Sequence, residues 1–438
     1  QGVVQPITLG QDGVTVLCDR DSFTLSAGVP GDEMALRVRG RAGQPDPHVD
    51  VITPSSDRVP SPCPVLEVCG ACTLLAMAYR AQVSAKAYAL TRIVRNMGGG
   101  NIKLGRLEGL KSPLGYRTKL LMPAFSGKGD RLRFGFYRPG TIRPVMAEHC
   151  PVQHPLCLGL LAMVRPLLQK HGVKASGQDN KGGWLHGISI RVDPPTGAVE
   201  LVLCGRTADP PGGVELIESL ARLPGVTSLA VSVTPKRSSY LLTPPFTLLA
   251  GSGRTPFTLK GGTTLWLSPG SFFQTSHEGA QQLVDRVEAF WPVGKVKLMA
   301  DLYGGAGLFA RALTGRWTKA LVVERSKEAV ADLKWASKKL PGLEVWQGAV
   351  EDQAAAALRR SPDLVLVDPP RRGCKGAVLG ALNSTPPPTL IYVSCGVESF
   401  MHDARILNKG AFRLTDISMV DMFPHTTHLE LVAKFEAK

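Results

Sequence analysis

The chain has 438 residues, 44% of them hydrophobic and 20% charged, with a formal net charge of +15. That hydrophobic share is ample for packed cores over roughly three domains. No apolar run is long enough to cross a bilayer, and nine cysteines spread over this length do not make the disulfide framework of a small secreted scaffold. With no secretory leader evident, a soluble monomer in the reducing cytoplasm is expected, its start at Gln1 rather than Met pointing to processing or trimming.

Up to about Arg41, apolar and polar residues alternate with Gly10, Gly13, Gly28 and Gly31 as punctuation, which predicts a small β-barrel. Ala42 to Pro62 is rich in Pro, Asp and Ser and reads as a linker. Cys63, Cys69 and Cys72 then form a C-x5-C-x2-C cluster, with Cys150 as a distant fourth ligand. Four thiolates make a metal site, and the spacing alone admits an iron–sulfur cluster or a structural zinc. Cys18, Cys157, Cys204 and Cys374 look ordinary.

From Ala76 to Met97 apolar residues recur at helical spacing, ending at Gly98-Gly99-Gly100. Between Arg80 and Arg143 fourteen Lys or Arg stand against Glu108 and Asp130, a net +12, interleaved with Tyr88, Tyr116, Phe125, Phe134, Phe136 and Tyr137. Cations beside aromatic faces suit phosphates and unstacked bases. A solvated basic face over core aromatics fits that composition equally well. The region to about Gly262 mixes short strands and turns with a predicted helix over Leu160 to Gln169, giving a β-rich central domain.

From Gly270 onward helices and buried strands alternate, as in a Rossmann-like α/β domain. Val296 to Tyr303 is a strand followed by Gly304-Gly305-Ala306-Gly307 and an apolar helical run, a nucleotide-binding turn or a merely structural one. Glu324 ends the next strand, where a carboxylate can accept ribose hydroxyls. Asp368 ends a third, stopped by Pro369 and Pro370. Cys395 ends a fourth, Leu390-Ile391-Tyr392-Val393-Ser394, and is either a nucleophile or a small buried hydrophobe. Ligands bind at the carboxyl edge of such sheets, so Asp301, Glu324, Asp368 and Cys395 are expected to share one crevice.

With Ser271-Phe272-Phe273-Gln274, Asp301-Leu302-Tyr303, Glu324, Asp368-Pro369-Pro370-Arg371-Arg372-Gly373, Tyr392-Val393-Ser394-Cys395, Asp421-Met422-Phe423-Pro424-His425-Thr426 and His428-Leu429-Glu430, nearly the whole chain resembles the S-adenosylmethionine-dependent RNA 5-methyluridine methyltransferases, in their iron–sulfur branch. The resemblance implies a class I methyltransferase domain at 263–438, a TRAM-like, OB-like RNA-binding barrel at 1–45 (on Leu9-Gly10-Gln11-Asp12-Gly13 and Gly28-Val29-Pro30-Gly31-Asp32) and a cluster-bearing, RNA-binding central domain at 46–262, whose 76–97 helix packs on the catalytic domain. It makes Cys395 the nucleophile and Glu430 the general base. Gln274, Tyr303, Glu324 and Asp368 become the contacts to S-adenosylmethionine, and Cys63, Cys69, Cys72 and Cys150 the ligands of a structural [4Fe–4S] cluster. His425 and His428 are expected to be structural or RNA-contacting. Leu308 and Thr275-Ser276 depart from the family pattern and put fine cofactor geometry in doubt. The implied partner is RNA, 23S ribosomal RNA ahead of transfer RNA. Methylation of another base atom, or a non-catalytic RNA-binding protein keeping the fold, are the competing readings.

Overall fold

A computed structural model describes residues 2–18, 21–39, 44–96, 102–176, 182–234 and 241–438. At the N-terminus, strands Gly2–Val4, Val14–Cys18, Asp21–Leu25, Glu33–Arg39 and Gln44–Thr53 form one antiparallel sheet in the order third, second, first, fourth, fifth. Alternation puts Val4, Val14, Val16, Leu25 and Met34 into its core. Much of the stretch expected to be a linker is therefore strand. Its Pro45 and Pro47 are tolerated because Gln44–Thr53 lies at a sheet edge. Beyond it the chain is tied down as well: buried Asp32 accepts hydrogen bonds from Ser55 N at 3.0 Å and Arg58 Nε at 2.9 Å.

The central sheet has seven strands, running in space from Phe246–Gly251 through Val226–Val233, Ala198–Gly205, Leu185–Asp193, Lys119–Ser126 and Leu132–Tyr137 to Pro144–Met146. Helices Pro155–Lys170 and Gly213–Ala221 pack together on it. The first begins five residues earlier than the periodicity indicates, because His154 caps it by accepting from Leu156 N and Pro155 occupies its first turn. A hairpin, Thr255–Thr258 with Thr264–Leu267, straddles the expected 262/263 boundary.

The C-terminal sheet has eight strands in the order Leu343–Gln347, Trp317–Glu324, Val296–Leu302, Leu364–Val367, Thr389–Ser394, Glu430–Ala437, Phe412–Val420 and Lys103–Leu104. The first five are parallel, and helices cover both faces, so Leu364–Val367 and Thr389–Ser394 are buried along their whole length, with Thr389 and Ser394 the polar ends of the second. Lys103–Leu104, which precedes the strands of the central sheet, completes the sheet beside Phe412–Val420.

Helix Tyr79–Asn96 locks the halves together. Lys86 is fully buried, and its Nζ donates to Asp421 Oδ1 at 2.6 Å, His428 O at 2.8 Å and Phe423 O at 3.1 Å. Tyr79 donates to Asp421 Oδ2 at 2.8 Å, and Gln82 Oε1 accepts from His425 N at 2.9 Å. One buried cation thus holds the loop joining the last two strands. Removing it strands a buried carboxylate, so Lys86→Met is expected to cost about 3–5 kcal/mol in urea unfolding. Adding Asp421→Asn to that variant should restore much of the loss.

Candidate functional site

Parallel strands deliver Asp301, Glu324 and Asp368 to one edge, their C-terminal one, and Cys395 follows the fourth strand at the same edge. The antiparallel register pairs Ser394 with Leu431, which brings Glu430 opposite Cys395. Gly396 is required next to the thiol: a Cβ there would come within 2.5 Å of Arg371 O. The four strand-end residues expected to converge do so, and Glu430 joins them.

The site is rich in uncompensated acid. Asp301 is fully buried, and burial, then the Asp368 carboxyl, push its own carboxyl well above the usual range against the opposing Ala310 N–H. Burial raises Asp368 to about 7. Glu430 is buried, its Oε2 lacks a hydrogen-bond partner, and burial followed by Asp368 holds it well above the carboxylate range. Burial, Glu430 and Asp368 in turn push the Cys395 thiol up to about 12. Buried Asp301 and Glu430, half-buried Asp368 and a thiol thus share a space that favours neutral forms or an incoming positive charge.

Glu324 is pre-set on the glycine turn: Oε2 accepts from Gly305 N at 3.0 Å and Oε1 from Ser326 N at 2.6 Å. Tyr303, at the head of that turn, has φ 65°, a conformation unusual for a side-chain-bearing residue, and its buried hydroxyl oxygen has no hydrogen-bond partner. Gln274 is half-buried, two residues after Phe272, which is 69% exposed. The departures at 275–276 have structural duties. Thr275 O accepts from Thr118 N at 2.8 Å, and Ser276 caps helix His277–Ala289 by accepting from Gly279 N at 3.0 Å. Leu308 is buried core at the start of its short helix.

The loop at 421–428 closes the site. His425 lies between Gln82 Nε2, 3.1 Å from its Nδ1, and Pro113 O, 3.0 Å from its Nε2; burial lowers it to about 4, making it a structural, neutral imidazole. The N-terminal sheet reaches the same loop. Gly10 N donates to Thr427 O at 3.2 Å, His428 Nε2 is 3.0 Å from Asp12 Oδ1, and Arg371 Nη2 donates to Gly10 O at 2.8 Å.

Cys63, Cys69, Cys72 and Cys150 line one cavity of about 260 Å3 together with Arg117. Among the described residues, no three His, Cys, Asp or Glu side chains meet closely enough to hold a single metal ion. Burial raises Cys69, Cys150 and, to about 12, Cys72, while the Arg117 guanidinium opposes each shift.

The basic stretch at 80–143 is corrected in part. Lys86 serves the interior, Tyr116, Phe125 and Phe134 are core, and Tyr88, 62% exposed beneath Arg92, is the aromatic open to solvent. Lys86, Gln82 and Tyr79 were not identifiable as site-building residues, since a polar residue on an amphipathic helix reads as its solvated face.

No protein-family model matches the chain. An uncharacterized RNA methyltransferase of Bacillus cereus is 30% identical over 419 residues, 92% of this chain and 89% of the relative. One from Halalkalibacterium halodurans is 29% identical over 98% and 95%. The chain belongs to this family of RNA methyltransferases. Among solved structures, the Pyrococcus abyssi tRNA (uracil-54, C5)-methyltransferase in complex with S-adenosyl-L-homocysteine shares the fold of this RNA methyltransferase, with a TM-score of 0.78, 22% identity and 99% and 98% coverage. No helix among the described residues is long and apolar enough to cross a membrane.

The raised carboxyls set a pH dependence. Asp301, Asp368 and Glu430 bind their protons more tightly folded than unfolded, so stability falls as pH rises from about 4 through 7. Glu430→Gln removes one such group and is expected to raise the thermal midpoint at pH 8 by roughly 2–4 °C, with little change at pH 4.

Proposed function

We propose that the protein transfers a methyl group from S-adenosylmethionine to C5 of an RNA uridine through a covalent bond between Cys395 and C6. The observation carrying this reading is the register that sets Glu430 opposite Cys395 at the acid-rich sheet edge. Cys395 attacks C6, its proton passing to one of the neighbouring carboxylates, which burial makes more basic than a free one. The attack moves an electron pair toward C5, and that carbon then takes the methyl. Glu430 removes the C5 hydrogen as a proton, the ring double bond re-forms and the C6–S bond breaks, releasing a thiolate that takes a proton back from the neighbouring carboxyl.

The bound donor supplies a methyl on a positively charged sulfur, a charge the buried acids favour. Gln274, Tyr303, Glu324 and Asp368 are assigned to hold it, Glu324 through the ribose hydroxyls. The target base has to leave its stack for C5 and C6 to be reached.

Cys63, Cys69, Cys72 and Cys150 are assigned to hold a [4Fe–4S] cluster, whose role is to clamp the chain between residues 63 and 150 and not to move electrons. The N-terminal sheet is read as a TRAM-like RNA-binding module. That module together with the thiol site supports 23S ribosomal RNA as substrate, and the likeness to the Pyrococcus abyssi enzyme supports transfer RNA as the second reading.

Cys395→Ala is expected to abolish methyl transfer to RNA while donor binding persists, and full turnover in that variant would overturn the mechanism. RNA carrying 5-fluorouridine should trap wild-type protein as a stable adduct, since fluorine cannot be removed as a proton. Glu430→Gln should slow turnover about 10²–10⁴-fold while accumulating adduct on ordinary RNA. Mass spectrometry of the modified nucleoside identifies the atom and the RNA. Anaerobically purified protein is expected to carry on the order of four irons per chain, lost in Cys72→Ser.

A further inference from the structure

The parallel strands that present the acids at one edge begin at the opposite edge, at Val296, Trp317 and Leu343, roughly 20 Å away along strands of this length. Helix Lys327–Ser337 starts just after Glu324 at the catalytic edge and so ends, with Trp335, at that far edge. There a groove of about 400 Å3 opens between it, the hairpin strand Thr264–Leu267 and the turn at Thr314-Gly315. Trp266 and Trp335 line it at 5.9 Å between ring centroids, crossed at 65°, and neither indole is fully buried.

Positive charge surrounds the rings. Lys339 Nζ lies 5.8 Å from the Trp335 centroid and Arg254 Cζ 5.4 Å from it. Arg311 lines the groove and is more than nine-tenths buried; its Nη2 donates to Thr264 O at 2.7 Å, while Nη1 has no hydrogen-bond partner. Lys319, Lys334 and Lys338 are exposed around the same edge. Asp332, buried and bonded to Arg254, Ser268 and Ser271, forms an ion pair with Arg254, so these two add no net charge, and the positive charge of the groove comes from Arg311, Lys339 and the exposed lysines around it. Paired aromatics ringed by cations are what a strand of unpaired nucleotides needs: ring faces for bases and charge for phosphates.

We propose that this groove is a second RNA-contact site, holding a single-stranded segment of the substrate on the face of the catalytic domain opposite the methyl-transfer pocket. A base packs against the two indoles, and Lys339, exposed on a flexible stem, turns to a phosphate. The inference rests on the RNA methyltransferase reading and extends it to how a large RNA is gripped away from its target base.

The test uses the full chain and an oligouridylate of about twelve nucleotides carrying 4-thiouridine. Photocrosslinks are expected on peptides containing Trp266 or Trp335 as well as at the catalytic edge. Lys339→Glu and Trp335→Leu are each expected to weaken binding about tenfold at 0.1 M salt, with Trp335→Phe near wild type and turnover at saturating RNA unchanged in Lys339→Glu. Crosslinks confined to the catalytic edge, with wild-type affinity in both variants, would overturn the proposal. Failure of the methyltransferase reading is separable, since it appears as absent methyl transfer by the wild-type chain whatever the groove does.

Discussion

The buried contact between Lys86 and Asp421 is the constraint on which the architecture turns. A lysine wholly removed from water is tolerable only when every donor is used, and here one carboxylate and two carbonyls take all three. Those carbonyls belong to the loop that returns the chain to Glu430, so the helix fixes where the last strand begins. The same helix comes from the N-terminal half. A segment early in the sequence therefore holds the loop that leads to Glu430, more than three hundred residues later, and it cannot shift without leaving a buried charge unpaired.

The second constraint is electrostatic. Burying Asp301, Asp368 and Glu430 together is unfavourable, and the strand register enforces it. Proteins carry such a cost at places built to stabilise something else. Under the proposed reading a sulfonium donor relieves it by favouring the ionised carboxylates, and the raised thiol pKa keeps Cys395 protonated until a substrate is seated.

The motifs legible in the sequence were those whose chemistry is local. Strand-end acids and the glycine turn declare themselves because a few consecutive residues fix where the backbone places them. Gln44–Thr53 was not legible, since two prolines and several polar residues argue for a linker, and only pairing with Glu33–Arg39 at a free edge makes them a strand. Phe125 and Phe134 misled for the opposite reason. Aromatics among cations look like a base-stacking surface, yet period-two alternation turns these into the sheet core. Lys86 is the extreme case, because its partners lie more than three hundred residues away and no window on the helix contains them.

The N-terminal sheet follows from these points. Its turn at Gly10, Gln11 and Asp12 bonds to Thr427, His428 and Arg371, residues flanking Glu430 on one side and following Asp368 on the other. These contacts lie at the surface of the site, so each is weak alone, but together they fix the turn as one wall of it. RNA held by that sheet would press directly on the segments that position the base and the buried acid. Under the proposed reading, binding energy gained at a distance from the reacting carbon then has a short mechanical route to it.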